Sequence, residues 1–507
     1  MNGMTHSGPN DAVKGSLREK MASGSFYSLV AILTGQTFAL ATSIIYARLL
    51  GRDDLGILAI FMQIGNVASA AATLSLGTAT TRFIAKLRQE DRGKLGPFVS
   101  TTLAITLLSS VAASVALFLG ASYLGLTLYR EPELVPMIQI TALFLPLAAL
   151  AGFGSSVLQG LQSIRKLAIL GVALEAMGVP VTYFSLLRFG LIGAAIGGGL
   201  TTVVSFALIF GSARTSLSRE GFVLRLALHA PNADGLLRYA VPLIISSIAI
   251  RTALLYQGSF LALSLGFGDA GLFKVASTLY RIVSFVPAAI TIPLLPLVSE
   301  LQATSTRERT RESLSTIVRI TTFVGSPIAL IVGLAASPVI LILYGSDFLA
   351  AAPLAFVLAV TGFVETIDAV SVSSVLGEGK TGLLLRLDLF HAFLIATTTT
   401  AFVTWFGLIG IGYALFVTAT VHATLLLVFL SATDRLDATR VLRALGVVAA
   451  CFGLAGFGVA YANAQQNAVL IAGLLLFTAV AGLLFMEAKE REILASILRT
   501  RLRMLRS

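Results

Sequence analysis

One cysteine, Cys451, is the chain's whole supply of thiol. It leaves no intramolecular disulfide and no cysteine cluster for zinc or iron–sulfur. Histidine is nearly as scarce. His6, His229, His391 and His422 fall in different segments without ligand spacing, so no metal site is expected. Charge is thinnest of all: Asp, Glu, Lys and Arg make up 12% of 507 residues, about half the share of a soluble domain. Hydrophobic residues make up 56%, and the mean hydropathy is +0.90. So few charges cannot cover the surface of a soluble protein this long, and the chain reads as an all-α polytopic membrane protein.

A helix needs roughly 20 apolar residues to cross a hydrocarbon core about 30 Å thick. About fourteen such stretches occur along the chain. They are rich in Leu, Ala, Ile and Gly and lack period-two alternation, which selects helices over barrel strands. Residues 1–22 are polar, and the apolar stretch after them is too long for the core of a signal peptide, so none is expected.

Placing the N-terminus in the cytoplasm puts most of the 36 lysines and arginines on that side. Arg48, Arg52, Arg130, Arg188 and Lys274 fall outside or at outer helix ends, and Arg251 and Arg281 fall inside spans. This bias fits fourteen spans with both termini cytoplasmic. It explains the +11 net charge as topology and contact with anionic lipid, not nucleic-acid binding.

The string FGLIG occurs at Phe189–Gly193 and again at Phe406–Gly410. Other landmarks recur at nearly the same offset. LGRDDLGI (Leu50–Ile57) matches LGFGDAGL (Leu265–Leu272), Leu128–Tyr129 matches Leu343–Tyr344, and SVLQG (Ser156–Gly160) matches SVLGE (Ser374–Glu378). Ordered landmarks at a constant offset indicate duplication. Each half then holds six spans, inserted the same way round, with a cavity between the bundles where alternating access can occur. The expected layout is a cytoplasmic N-tail (1–22), a first six-helix bundle (23–212), a partly amphipathic cytoplasmic linker (213–238) and a second bundle (239–432). Two extra helices (443–486) and a basic amphipathic C-tail on the inner leaflet (487–507) complete it.

The loops are too short for a soluble catalytic lobe, so the work happens inside the helices and no enzyme is expected. GEGKTG (Gly377–Gly382) resembles a phosphate loop, but Ser374 stands where the first glycine belongs and the flanks are membrane helices. No cofactor is expected.

Ionisable residues in spans are costly and are functional candidates by default. They are Glu175, Arg251, Arg281, Glu365 and Asp368, with Asp388, His391 and His422 beside them. The repeat offset carries Arg251 onto Gln36 and Arg281 onto Asn66, which points to one shared polar cavity. The arginines suit a phosphate, because the guanidinium donates in pairs and stays charged. The bland alternative is that Glu365, Asp368 or Glu175 neutralises them. Glu365 and Asp368 are three apart on one helix face, an arrangement suited to a proton- or cation-coupled switch. Pro242, Pro287, Pro293 and Pro296 are candidate hinges in the seventh and eighth expected spans, about 239–263 and 271–298.

The stretch IIYARLLGRDDLGILAI (Ile44–Ile60), the fourteen-span layout, the six-plus-six repeat and the basic tail together resemble a known family. They are similar to the Wzx-like polysaccharide flippases of the MATE-like multidrug/oligosaccharidyl-lipid/polysaccharide exporter superfamily. The resemblance implies movement of an isoprenoid-(pyro)phosphate-linked oligosaccharide from the inner to the outer leaflet of the plasma membrane, for O-antigen or exopolysaccharide synthesis. It implies a cationic cavity, with Arg251, Arg281, Gln36 and Asn66 as substrate-binding residues and Glu365, Asp368 and Glu175 as ion-coupling residues. The implied partners are the lipid-linked oligosaccharide, membrane lipids, and a polysaccharide polymerase with its assembly proteins; no nucleic acid is expected, and a monomer is.

Rival readings remain. A multidrug cation antiporter of the same fold typically has twelve spans and an acid in span 1 or 7, where this chain has Gln36 and Arg251. A peptidoglycan lipid II flippase also has fourteen spans but more basic residues in its first half. A membrane-embedded enzyme on lipid-linked sugars would need clustered outer-face charges, and a non-transporting scaffold would tolerate loss of the intramembrane ones.

Overall fold

A computed structural model describes residues 9–222, 233–283, 307–377 and 380–433, together with 436, 437, 441, 445 and 446. The described residues are helical throughout, without a strand. The helices are α1 (Pro9–Thr73), α2 (Gly77–Glu90), α3 (Arg92–Ser122), α4 (Leu134–Gly160), α5 (Ile164–Phe189), α6 (Ile192–Ser205) and α7 (Gly211–Arg219). After them come α8 (Ala233–Leu265), α9 (Phe267–Val283), α10 (Arg307–Leu334), α11 (Ala336–Leu343), α12 (Ala352–Gly377), α13 (Thr381–Phe406) and α14 (Leu408–Ala432). Among the described residues, 10 segments are long and apolar enough to cross a membrane. The longest, Leu33–Glu90, holds two of the expected spans, because α1 is broken at Gly51. Apart from residues 445 and 446, the helices expected at 443–486 lie outside the described residues, as do the tail at 487–507 and the prolines Pro287, Pro293 and Pro296.

The surface of these helices is apolar: Leu119, Leu143, Ile342 and Trp405 are each more than 70% exposed. That is the pattern of a protein whose solvent is hydrocarbon. In such a solvent every polar group must find a partner within the protein. The hydroxyls of Thr397, Thr398, Thr400 and Thr404 donate to carbonyls one turn back along α13. At the end of that helix Phe402, Trp405, Phe406 and Tyr413 form a ring cluster.

The described residues divide into two compact units that do not follow chain order. One lies within 1–49 and 64–248, the other within 50–63 and 249–507. In the first unit α4 is the central helix, packed by α2, α3 and α6. Its core includes Ile84, Leu95, Phe98, Val157, Leu158 and Leu217. Small residues permit close approach, as membrane helices require: a methyl group on Gly160 would meet Ile84 at 2.7 Å. In the second unit α12 is central, packed by α9, α10 and α14, over a core that includes Val318, Leu330, Phe363, Ile367, Val370 and Leu426.

Left-handed backbone positions recur at a fixed offset. Gly51 (φ 79°) and Gly266 (φ 108°) are 215 apart, as are Arg130 (φ 57°) and Gly345 (φ 104°). Gly190 (φ 57°) and Gly407 (φ 62°) are 217 apart, and both end a helix with ψ near −140°. Only glycine holds that conformation at low cost. Each is followed three residues on by a glycine pressed against a carbonyl of the preceding helix, Gly193 on Ser185 and Gly410 on Phe402.

The two copies of the L-G-x-x-D-x-G-[IL] motif pack against each other within the second unit. Arg52 pairs with Asp269 at 2.8 Å. Gly56 lies against the Phe267 carbonyl, and Gly271 lies against the Arg52 carbonyl. The contact is reciprocal, since each glycine abuts the same relative position in the other copy.

Candidate functional site

Three cations sit on two helices of the second unit. Arg251 is on α8, and Lys274 and Arg281 are on α9. Both arginines are exposed, and neither forms an ion pair with a described residue. Lys274 was expected at a helix end. It lies instead about two turns into α9, half-buried, with its Nζ 3.5 Å from the Met62 thioether. Seven residues separate Lys274 from Arg281, so both lie on one face of the helix. A charge at the centre of a bilayer costs on the order of 3 kcal/mol, and Arg251 lies within an apolar segment, Ala240–Leu265, long enough to cross one. Water or an anionic group must offset that.

Gln36 on α1 is half-buried and Asn66 is exposed; both belong to the first compact unit, while Arg251 and Arg281 belong to the second. Glu175 is exposed on α5, also in the first unit. No described residue neutralises it.

The acids of α12 are placed otherwise than by arginine pairing. Asp368 accepts or shares a hydrogen bond with His422 of α14, at 2.8 Å from Nδ1. The other ring nitrogen of His422 is 3.5 Å from Asp388 of α13. His391, one turn along α13 from Asp388, stacks on His422 with ring centroids 4.6 Å apart. Glu365 is one turn from Asp368. The result is a polar knot of two imidazoles and two carboxylates among three apolar helices. Sequence reasoning marked each member singly but not the group, since the partners are distant in sequence. A second polar tie joins α8 to α13: Gln257 donates to Thr399 at 3.1 Å, and Tyr256 meets Thr400 at 2.7 Å.

Comparison with known proteins agrees with this architecture. The succinoglycan biosynthesis transport protein ExoT of Rhizobium meliloti is 24% identical over 357 residues, 70% of this chain and 68% of that protein. A membrane protein of Methanocaldococcus jannaschii is 23% identical over 289 residues, covering 54% of this chain and 67% of its own length. Among solved structures, the lipid II flippase MurJ in an inward closed conformation superposes with a TM-score of 0.67 at 13% identity, covering 92% of this chain and 99% of that one. A superfamily transporter from Pyrococcus furiosus superposes at 0.62 with 16% identity, over 82% of this chain and 95% of that one. These structural likenesses establish the fold. Residues 45–353 match the family model described as polysaccharide biosynthesis protein. That match spans more than half of the chain, which therefore belongs to the polysaccharide biosynthesis protein family.

Proposed function

We propose that this protein moves an isoprenoid-(pyro)phosphate-linked oligosaccharide from the inner to the outer leaflet of the plasma membrane by alternating access, supplying O-antigen or exopolysaccharide synthesis. The observation that carries the proposal is the trio Arg251, Lys274 and Arg281, cations on α8 and α9 of a chain in a family of polysaccharide biosynthesis proteins. A headgroup with one or two phosphates cannot cross hydrocarbon unaided. Guanidinium groups offer paired donors to phosphate oxygens and cost less once it is bound. Gln36 and Asn66 are further proposed substrate-binding residues, and the lipid tail stays in the bilayer. Glu365, Asp368 and Glu175 are the proposed ion-coupling acids. The proposed partners are a polymerase and its assembly proteins.

We further propose two parallel six-helix repeats with two extra helices, both termini cytoplasmic. The paired left-handed positions support the duplication, because a turn conserved in backbone geometry is harder to obtain by chance than a string of apolar letters.

The test is a lipid extract from cells lacking the protein, analysed by mass spectrometry. Accumulation of an isoprenoid-phosphate-linked oligosaccharide is expected, and its mass separates a polysaccharide repeat unit from the peptidoglycan precursor. An unchanged lipid profile with normal surface polysaccharide would overturn the proposal.

A further inference from the structure

We propose that His422, held between Asp368 and Asp388 and stacked on His391, is the proton-binding site through which transport is coupled to a proton gradient. The inference deepens the flippase reading and rests on it for what the proton drives. The argument is geometric. His422 Nδ1 is 2.8 Å from Asp368 Oδ1, and Nε2 is 3.5 Å from Asp388 Oδ1. Nε2 is fully buried and has no hydrogen-bond partner among the described residues. In a neutral ring that donates Nδ1–H to Asp368, Nε2 turns a lone pair toward the lone pairs of the Asp388 carboxylate. A proton placed there, on the ring or on the carboxyl, converts that repulsion into a hydrogen bond. The position is therefore incomplete without a proton.

The neighbours restrict it to one. The His391 ring lies parallel to His422 within 18°, so two charged rings would repel face to face. Protonation of one opposes protonation of the other, and the pair titrates as a unit. The helices packed on α14 are α12 and α13. Their ionisable residues are Glu365 and Asp368 on α12 and Arg386, Asp388 and His391 on α13. Arg386 turns its Nε to the Gly382 carbonyl, and Lys380, just before α13, lies over the Phe429 ring.

A metal ion does not fit. The two carboxylates approach opposite nitrogens with the imidazole between them, so they cannot share an ion at the short distances that oxygen ligands require. Stacked rings direct their lone pairs in parallel planes. No group of three or more His, Cys, Asp and Glu among the described residues has the arrangement of a metal site.

The place in the fold explains how a proton would be felt. The ring is 4% exposed, while Asp368 and Asp388 are 19% and 24% exposed. The carboxylates are the points of entry, and the ring is the store. Asp368, Asp388 and His422 lie some 10–15 Å from the neighbouring helix ends at Gly377, Thr381 and Ala432. Three helices meet at this layer. Gaining the proton draws α12, α13 and α14 together; losing it leaves carboxylates opposed to lone pairs and loosens them.

The experiment uses the full chain with His6→Gln and His229→Gln, which leaves two histidines. Carbon-13 histidine signals are followed in lipid nanodiscs from about pH 4 to about pH 10. Both rings are expected to shift in two coupled steps. Asp388→Asn, which spares the Asp368 bond and so the fold, should move the midpoint by about one pH unit or more. His422→Gln should leave His391 with a single step. Signals that stay fixed across the range would make the knot a static cross-link and overturn the proposal, and so would a titration displaced by added sodium or zinc. In parallel, proteoliposomes receive a fluorescent polyprenyl-pyrophosphoryl disaccharide, with and without an imposed pH gradient. Gradient stimulation is expected in the parent and lost in Asp388→Asn and His422→Gln, with gradient-free movement retained. Equal stimulation in parent and variants refutes the coupling role but leaves the flippase reading standing. Failure of the parent to move this lipid counts against the flippase reading, while the nuclear resonance titration still decides the proton site.

Discussion

Replacing Gly56 with alanine places a methyl group on the carbonyl oxygen of Phe267 and 3.1 Å from the Gly271 nitrogen. Both obstacles are backbone, so no rotamer change relieves the clash. The helix segments must separate, and overpacking of this kind typically costs about 1–3 kcal/mol. Separation also lengthens the 2.8 Å Arg52–Asp269 pair, which lies beside the same crossing. The cost falls only on conformations in which the two motif copies touch. It therefore shifts the population away from them by about 5- to 150-fold. Gly271→Ala meets the Arg52 carbonyl in the same manner, so it should have an equal effect. The double variant should not be additive, because one separation relieves both clashes. The assay is the labelling rate of Ala270→Cys, 2% exposed in this structure, by a membrane-impermeant maleimide in a Cys451→Ser background. Faster labelling of similar size in both single variants, with little further gain in the double, is expected. Unchanged labelling, or single effects that sum, would refute the reciprocal contact.

Arg251→Ala and Arg281→Ala should each abolish lipid flipping while insertion and yield stay normal, and Lys274→Ala should weaken it; normal glycan export in the double arginine variant would remove the cationic role. Glu365→Gln and Asp368→Asn should change the dependence of transport on an imposed proton or sodium gradient, measured in proteoliposomes. Gly193→Ala and Gly410→Ala should lower the melting temperature by similar amounts, since each clashes with a carbonyl at an equivalent turn; a cost of about 1–3 kcal/mol is expected for each.

The helical spans were legible in the sequence because hydrocarbon is an exacting solvent, and long apolar runs have no other stable use in a chain this poor in charge. The breaks were legible too. Gly190 and Gly407 sit inside the repeated FGLIG string, and glycine is the residue a left-handed helix end requires. The interlocking of LGRDDLGI with LGFGDAGL was not. The letters marked a repeat, but nothing in them says that Arg52 of one copy meets Asp269 of the other. The knot around His422 escaped for the same reason. Asp368 and His422 are 54 residues apart, and local spacing carries no record of a contact between separate helices. Lys274 reads as lying at an outer helix end because the apolar run begins only just before it; the start of α9 at Phe267 places it about two turns into the helix.

Trp405 is the only tryptophan in the chain, and it stands 71% exposed at the close of α13 beside Phe402. Indole emission follows local polarity and is quenched on contact by brominated acyl chains. The protein thus carries a built-in depth gauge at one defined helix end, requiring no dye and no added cysteine. Lipids brominated at successive carbons would locate that end along the bilayer normal, and the same signal, followed during turnover, would show whether α13 rises, sinks or stays level as cargo crosses.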